Sequence, residues 1–146
     1  MTVFESSDYT GEPNFVVPSN YTSIGNYAFQ YASGLTSITI PAGVTSIGDY
    51  AFYNASKLIS ITFSPDSLLT SIGSSAFRDA SALTSITFSQ DSLLTSIGMY
   101  AFRNASSLTS ITIPAGVTNI GDYAFYQASG LTSITFSQDS LLTSIG

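Results

Sequence analysis

Hydroxyl, carboxylate and phenol side chains recur at fixed spacing in this 146-residue chain. The hydroxyls come as Ser-x-Thr: Ser37 and Thr39, Ser60 and Thr62, Ser85 and Thr87, Ser110 and Thr112, Ser133 and Thr135. Such an array suits non-covalent recognition of something flat or repetitive, such as a protein surface, a polysaccharide or ice. The same residues also fill exposed strand positions with no ligand at all, because Thr fits a pleated surface. The carboxylates recur as Asp66, Asp91 and Asp139, each within Ser-x-Asp-Ser-Leu-Leu. Neighbouring Asp66 and Asp91 offer one carboxylate each towards a shared calcium ion, which wants several oxygens. An Asp beside Ser is equally an ordinary turn residue. The phenols follow Tyr27, Tyr50, Tyr100 and Tyr123, with Ser75 in the middle of the series and Tyr53 and Tyr126 three residues on. Tyr buries a large face and keeps its hydroxyl wet, so this column serves either as interface anchors or as stacking between repeats. Arg78 and Arg103 replace Tyr in the middle repeats, and Asp79 lies beside them.

Other chemistry is excluded by what the chain lacks. With no His and no Cys there is no Ser-His-Asp set, no thiol nucleophile and no usual transition-metal site. The acids recur as repeat-related columns, so nothing sets one apart as a catalytic group. The expectation is a non-enzyme with no cofactor. A net charge of −6, with only Lys57, Arg78 and Arg103 positive, leaves no basic footprint for nucleic acid and none for an anionic membrane. No run of about 18 apolar residues is present to span a membrane. Met1 to Asp8 has neither the basic start nor the apolar core of a secretory signal. Asn20, Asn54 and Asn104 stand in glycosylation sequons, which matter only in a eukaryotic secretory pathway.

The elements that position these groups repeat. Leu35, Leu58, Leu83, Leu108 and Leu131 open successive units, at steps of 23, 25, 25 and 23 residues. After each Leu, alternation such as Ile38-x-Ile40 predicts a short strand. Pro41-Ala42-Gly43, or the longer Ser89 to Leu93, then turns the chain. A second apolar pair, Val44 and Ile47 or Leu94 and Ile97, predicts a second short strand, closed by a Gly where the backbone must bend. Asp49 and Asp122 are placed to cap a single helical turn carrying Ala51, Phe52 and Ala55 inward. One turn cannot stand alone, so its Phe and Ala must pack on neighbouring rungs.

The run Leu-x-x-Ile-x-Ile-Pro-x-x-Val-x-x-Ile-Gly-x-x-Ala-Phe resembles the BspA-type, or Treponema-type, leucine-rich repeat over roughly Phe15 to Gly146. The resemblance implies an α/β repeat solenoid: a right-handed leucine-rich-repeat superhelix of 23/25-residue rungs, with parallel short strands on its concave face and single-turn helical segments. It also implies proteins of microbial or viral surfaces that bind host proteins or other cells. Where the family commonly carries Cys after Ala-Phe, this chain has Ala32, Ala55, Ala80, Ala105 and Ala128, which keeps the small volume without a thiol.

Residues 1–14 then read as a polar lead-in that caps the first rung. Residues 15–146 read as about five and a half rungs, the last incomplete after Ile145-Gly146. The expected function is recognition or adhesion, with a host or cell-surface protein bound on the Ser/Thr-lined strand face. Two alternatives remain open. One is self-association through the unfinished rung at Leu141, Leu142 and Ile145, because an uncapped solenoid exposes strand edges. The other is an ice- or glycan-binding hydroxyl array.

Overall fold

Each rung starts from a Leu that has nowhere to go but inward: Leu35, Leu58, Leu83 and Leu108 are fully buried. The computed structural model describes residues 1–146, and thirteen strands are numbered here in chain order. One side, called here the long-strand sheet, holds β2 (Asn14–Val16), β4 (Ser37–Ile40), β6 (Ser60–Phe63), the two-residue β8 (Ser85–Ile86), β10 (Ser110–Ile113) and β12 (Ser133–Phe136), in two hydrogen-bonded parts. The other holds seven two-residue strands: β1 (Val3–Phe4), β3 (Ser23–Ile24), β5 (Ser46–Ile47), β7 (Ser71–Ile72), β9 (Ser96–Ile97), β11 (Asn119–Ile120) and β13 (Ser144–Ile145). All pairings are parallel and join equivalent residues of successive rungs, as Ile38 with Ile61 and Ile47 with Ile72. The expected two strands per rung are therefore present.

The short-strand sheet is continuous from β1 to β13. The long-strand sheet is not. It runs β2-β4-β6-β8, stops, and resumes as the pair β10-β12. This interruption falls where a 25-residue rung passes to a 23-residue rung, whereas the steps from 23 to 25 at β4-β6 and β10-β12 are unbroken.

Between the sheets lies one core of 33 buried apolar residues. Its spine is a stack of rings: Phe4, Phe29, Phe52, Phe77, Phe102 and Phe125 follow one another at centroid distances of 4.9, 4.9, 5.0, 5.3 and 5.4 Å, with planes within 11°. Each such pair adds about 0.5–1.5 kcal/mol beyond the area it buries. Residues 1–14, expected as a lead-in, also contribute the first strand of the continuous sheet, with Val3 opposite Ser23 and Phe4 opposite Ile24. Tyr9 closes that end, its ring 5.2 Å from Phe15 and 5.3 Å from Phe29.

The expected helical turns are absent. The segment from Tyr50 to Asn54 and its equivalents are chains of turns, with left-handed backbone at two non-Gly residues per rung. The pairs are Tyr27 and Tyr31, Tyr50 and Asn54, Ser75 and Asp79, Tyr100 and Asn104, and Tyr123 and Gln127, at φ between 55° and 63°. Each left-handed residue costs roughly 1–2 kcal/mol. The offset is a third ladder between rungs: the N–H groups of Tyr27, Phe29 and Tyr31 donate to the carbonyls of Asp49, Ala51 and Tyr53 at 3.0, 2.7 and 2.9 Å. A helix would have turned those N–H groups back into its own segment. Asp49 accordingly caps no helix. Its Oδ1 accepts from the Ser74 N–H of the next rung at 2.7 Å, as Asn26 Oδ1 does from the Asp49 N–H.

The Gly that ends each short strand is also not there for a bend, since none of these residues has left-handed φ. It is there for close approach. A Cβ on Gly73 would lie 2.6 Å from the Gly48 carbonyl carbon, and one on Gly98 would lie 2.5 Å from that of Gly73.

Candidate functional site

The Ser-x-Thr columns lie on the outer side of the long-strand sheet. Ser37, Thr39 and Ser60 are partly buried; Thr62, Ser85, Thr87, Ser110, Thr112, Ser133 and Thr135 are exposed, while Ile38, Ile61, Ile86 and Ile111 between them point into the core. The columns are in register within each part of the sheet, and the ladder between them stops from β8 to β10. Three small clefts of about 330, 290 and 110 Å³ gather around Thr87 and Phe88 at that break. Of the residues expected at the unfinished rung, Leu141 and Ile145 are exposed, and Leu142 packs partly against the core. Ile145 pairs with Ile120 as part of β13.

The largest concavity is on the other sheet. It is a trench of about 650 Å³ that crosses four rungs, from Gly73 to Gly146. Its floor is backbone, because the glycines supply no side chain. The floor N–H groups are already used: Gly73, Gly98 and Gly121 each donate to an Ile of the preceding rung at 2.8 Å. One wall carries Ser71, Ser96, Asn119 and Ser144; the other carries Asp49, Ser74, Met99 and Asp122. Neither wall contains a Lys or an Arg. Beside the trench runs a ladder of threonine hydroxyls, each donating to the carbonyl of the Thr one rung earlier: Thr45 to Thr22, Thr70 to Thr45, Thr95 to Thr70, Thr118 to Thr95 and Thr143 to Thr118, at 2.8 to 3.3 Å. Sequence reasoning did not single out this trench. The signal was present in each Ile-Gly pair and the residue that follows it.

The phenols form the turn edge. Tyr27 stacks on Tyr50 and Tyr100 on Tyr123, both at 5.3 Å with planes 9–10° apart. One face of each ring is spent on its partner, so the column stacks between rungs, while Tyr27 and Tyr123 remain exposed. Arg78 lies over Tyr53 at 5.4 Å, with its Nε 3.4 Å from Asp79. Arg103 lies between Tyr100 and Tyr126, 5.3 Å from each. Asp79 also accepts from the Asn104 side-chain amide at 2.6 Å. Burial, and next the nearby Tyr31, raise the Tyr53 hydroxyl above its ordinary pKa, while Arg78 pulls it the other way. Asp66, Asp91 and Asp139 are exposed in their loops. No three His, Cys, Asp or Glu side chains come together to hold a metal ion.

Parallel strands stacked in register on one buried Leu per rung define a leucine-rich repeat solenoid. The chain belongs to the BspA-type leucine-rich repeat family, whose model matches residues 3–93 and 64–146 in six copies. Among solved structures it is similar to the T. pallidum leucine-rich repeat protein TpLRR, at 28% identity and a TM-score of 0.79 over 85% of this chain and 58% of that one. It is similar also to a leucine rich cell surface protein from Faecalibacterium prausnitzii, at 34% identity and a TM-score of 0.80 over 90% of this chain and 38% of that one. A third similarity is to the pneumococcal vaccine antigen PcpA, at 25% identity and a TM-score of 0.70 over 95% of this chain and 44% of that one. The chain thus spans between about two fifths and three fifths of the length of these proteins. No curated protein sequence is significantly similar to it.

Proposed function

We propose that this chain is a non-enzymatic recognition module that binds a protein partner along its sheets, displayed outside a cell or on a virion. The observation that carries the reading is the trench across four rungs, a continuous concave surface whose walls carry the Ser71 and Ser96 hydroxyls and the exposed carboxylates of Asp49 and Asp122. Repeat solenoids offer such extended surfaces rather than single pockets. The similarity to a cell surface protein of F. prausnitzii supports the surface setting. The Ser-x-Thr sheet is the second face available to the same partner, through Thr62, Thr87 and Thr112. An ice-ordering array needs an unbroken lattice of hydroxyls, and the break after β8 counts against it.

The test is binding of purified extracellular proteins, measured by biolayer interferometry against the wild-type chain and two bulky variants. Ser96→Trp fills the trench; Thr87→Trp obstructs the other sheet. A partner that loses at least tenfold in affinity with either variant supports recognition and says which face carries it. No partner, or one indifferent to both variants, overturns the reading. Light scattering over a tenfold concentration range, on the wild type and on Leu141→Glu, tests self-association as the alternative.

A further inference from the structure

We propose that the glycine trench takes an extended segment of the partner that carries two basic side chains four positions apart with an apolar residue midway. This rests on the recognition reading above and names the chemistry of its ligand.

Charge comes first. The chain has nine acids against three bases. Arg78 and Arg103 are occupied at the turn edge, over Tyr53 and between Tyr100 and Tyr126. The trench walls carry the carboxylates of Asp49 and Asp122, both exposed, and no cation of this chain lines it. Asp49 spends Oδ1 on the Ser74 N–H and keeps Oδ2 free. A cationic ligand is the complement.

Spacing comes next. Asp49, Ser74, Met99 and Asp122 are equivalent residues of four successive rungs, so the two carboxylates are three rung steps apart. At about 4.8 Å per step that is ~14 Å. An extended chain rises about 3.3–3.4 Å per residue and returns a side chain to the same face every second position. Positions i and i+4 therefore span ~13–14 Å on one face, which matches the two carboxylates. Position i+2 falls midway, between Ser74 and Met99, and Met99 is 44% exposed and adaptable enough in shape to reach an apolar side chain there.

The floor excludes the other common mode. The glycine N–H groups are already bonded to the preceding rung, so the trench cannot add the ligand as another strand. Recognition has to run through side chains, with the Ser71 and Ser96 hydroxyls free to meet the ligand backbone.

The experiment uses fluorescence anisotropy with a fluorescein-labelled nine-residue peptide that has two lysines four positions apart, a leucine midway, and Ser or Gly elsewhere. Comparators have the lysines two positions apart, or glutamine in their place. The protein variants are the full chain with D49N and D122N. Asn at this position keeps the bond to the next rung, as Asn26 shows with the Asp49 N–H, so the double variant loses charge without losing the staple. A second variant, Met99→Lys, places a cation on the wall. The matched peptide is expected to bind at least tenfold tighter than either comparator. That preference should vanish in D49N/D122N, and binding should fall at least tenfold in Met99→Lys. Binding that ignores lysine spacing, binding unchanged in D49N/D122N, or no binding overturns the proposal. If Ser96→Trp still abolishes capture of a protein partner when the peptides fail, the trench remains the binding site and only the basic-ligand chemistry falls. If Ser96→Trp and Thr87→Trp both leave partner binding intact, the recognition reading itself has failed.

Discussion

The quartet Leu-Thr-Ser-Ile serves both sheets of this solenoid with opposite results. At Leu94 to Ile97 it is followed by Gly98 and lies in the continuous sheet; at Leu108 to Ile111 it is followed by Thr112 and lies where the other sheet is broken. Local propensity is the same in both places. In the first, Thr95 donates its N–H to Thr70 at 2.8 Å and its hydroxyl to the same carbonyl at 3.0 Å. In the second, neither the N–H nor the hydroxyl of Thr109 finds a partner in the preceding rung, although Thr84 and Thr132 at equivalent positions do. The residue after the quartet does not decide this, because Thr87 and Thr135 also follow it where Thr84 and Thr132 do bond to the preceding rung. Gly does let successive rungs of the short-strand sheet approach backbone to backbone. The break coincides with the step from a 25-residue to a 23-residue rung, while the steps from 23 to 25 leave β4-β6 and β10-β12 paired. Continuity of a parallel sheet is thus a property of the whole rung and not of the strand.

The strongest way to break this comparison is to remove the close approach. Gly98→Ala places a Cβ 2.5 Å from two backbone atoms, Gly73 C and Ser74 N, with no flexible side chain to yield. The expected cost is about 3 kcal/mol in urea denaturation, at the upper end of ordinary overpacking. Gly43→Ala, in the turn before the short strand β5, meets nothing nearer than 3.8 Å. It should leave stability unchanged or raise it by up to about 1 kcal/mol, through a less flexible unfolded chain. Equal costs at the two glycines would show that close approach is not what holds the short-strand sheet together.

The break itself has a smaller but local signature. The Thr109 amide should exchange at least tenfold faster than those of Thr84 and Thr132, which donate to the preceding rung at 3.1 and 2.9 Å; tenfold corresponds to about 1.4 kcal/mol of local opening. Inserting two residues between Pro114 and Val117 turns rung four into a long rung. If rung length causes the break, that insertion slows Thr109 exchange to the rate of its neighbours. Exchange that stays fast assigns the break to something other than the length step.

How much of this was legible follows the same division. Alternation at Ile38 and Ile40 and the Leu anchors announced strands and core, because those are decided within a few residues. The turn segment was misread as helical because Ala51, Phe52 and Ala55 do have helical spacing. What overrides it is the N–H ladder to the next rung, which no single rung contains. The role of Asp49 was misread for the same reason: its partner is Ser74, one rung away in sequence. The trench is not legible in a single rung because its floor is made of missing side chains, and only the stacking of Gly73, Gly98, Gly121 and Gly146 opens it. The Ser-x-Thr columns were legible as exposed strand positions, but nothing in the strand residues announces the break between β8 and β10, since Leu-Thr-Ser-Ile-Thr is the same on both sides of it.

The finest test isolates the hydroxyl ladder. Thr95→Val keeps shape and β-propensity while deleting one hydroxyl that donates to the Thr70 carbonyl of the preceding rung. Loss of a single exposed hydrogen bond is expected to cost about 0.5–1 kcal/mol. Thr109→Val makes the same substitution in the same quartet where the hydroxyl has no partner, and is expected to cost nothing measurable. Both sites are solvent-exposed, so burial does not separate them. The difference between the two variants therefore measures the ladder alone. If they match, the threonine column marks where the short strands lie without helping to hold them, and the continuity of that sheet rests on glycine contact and backbone bonding by themselves.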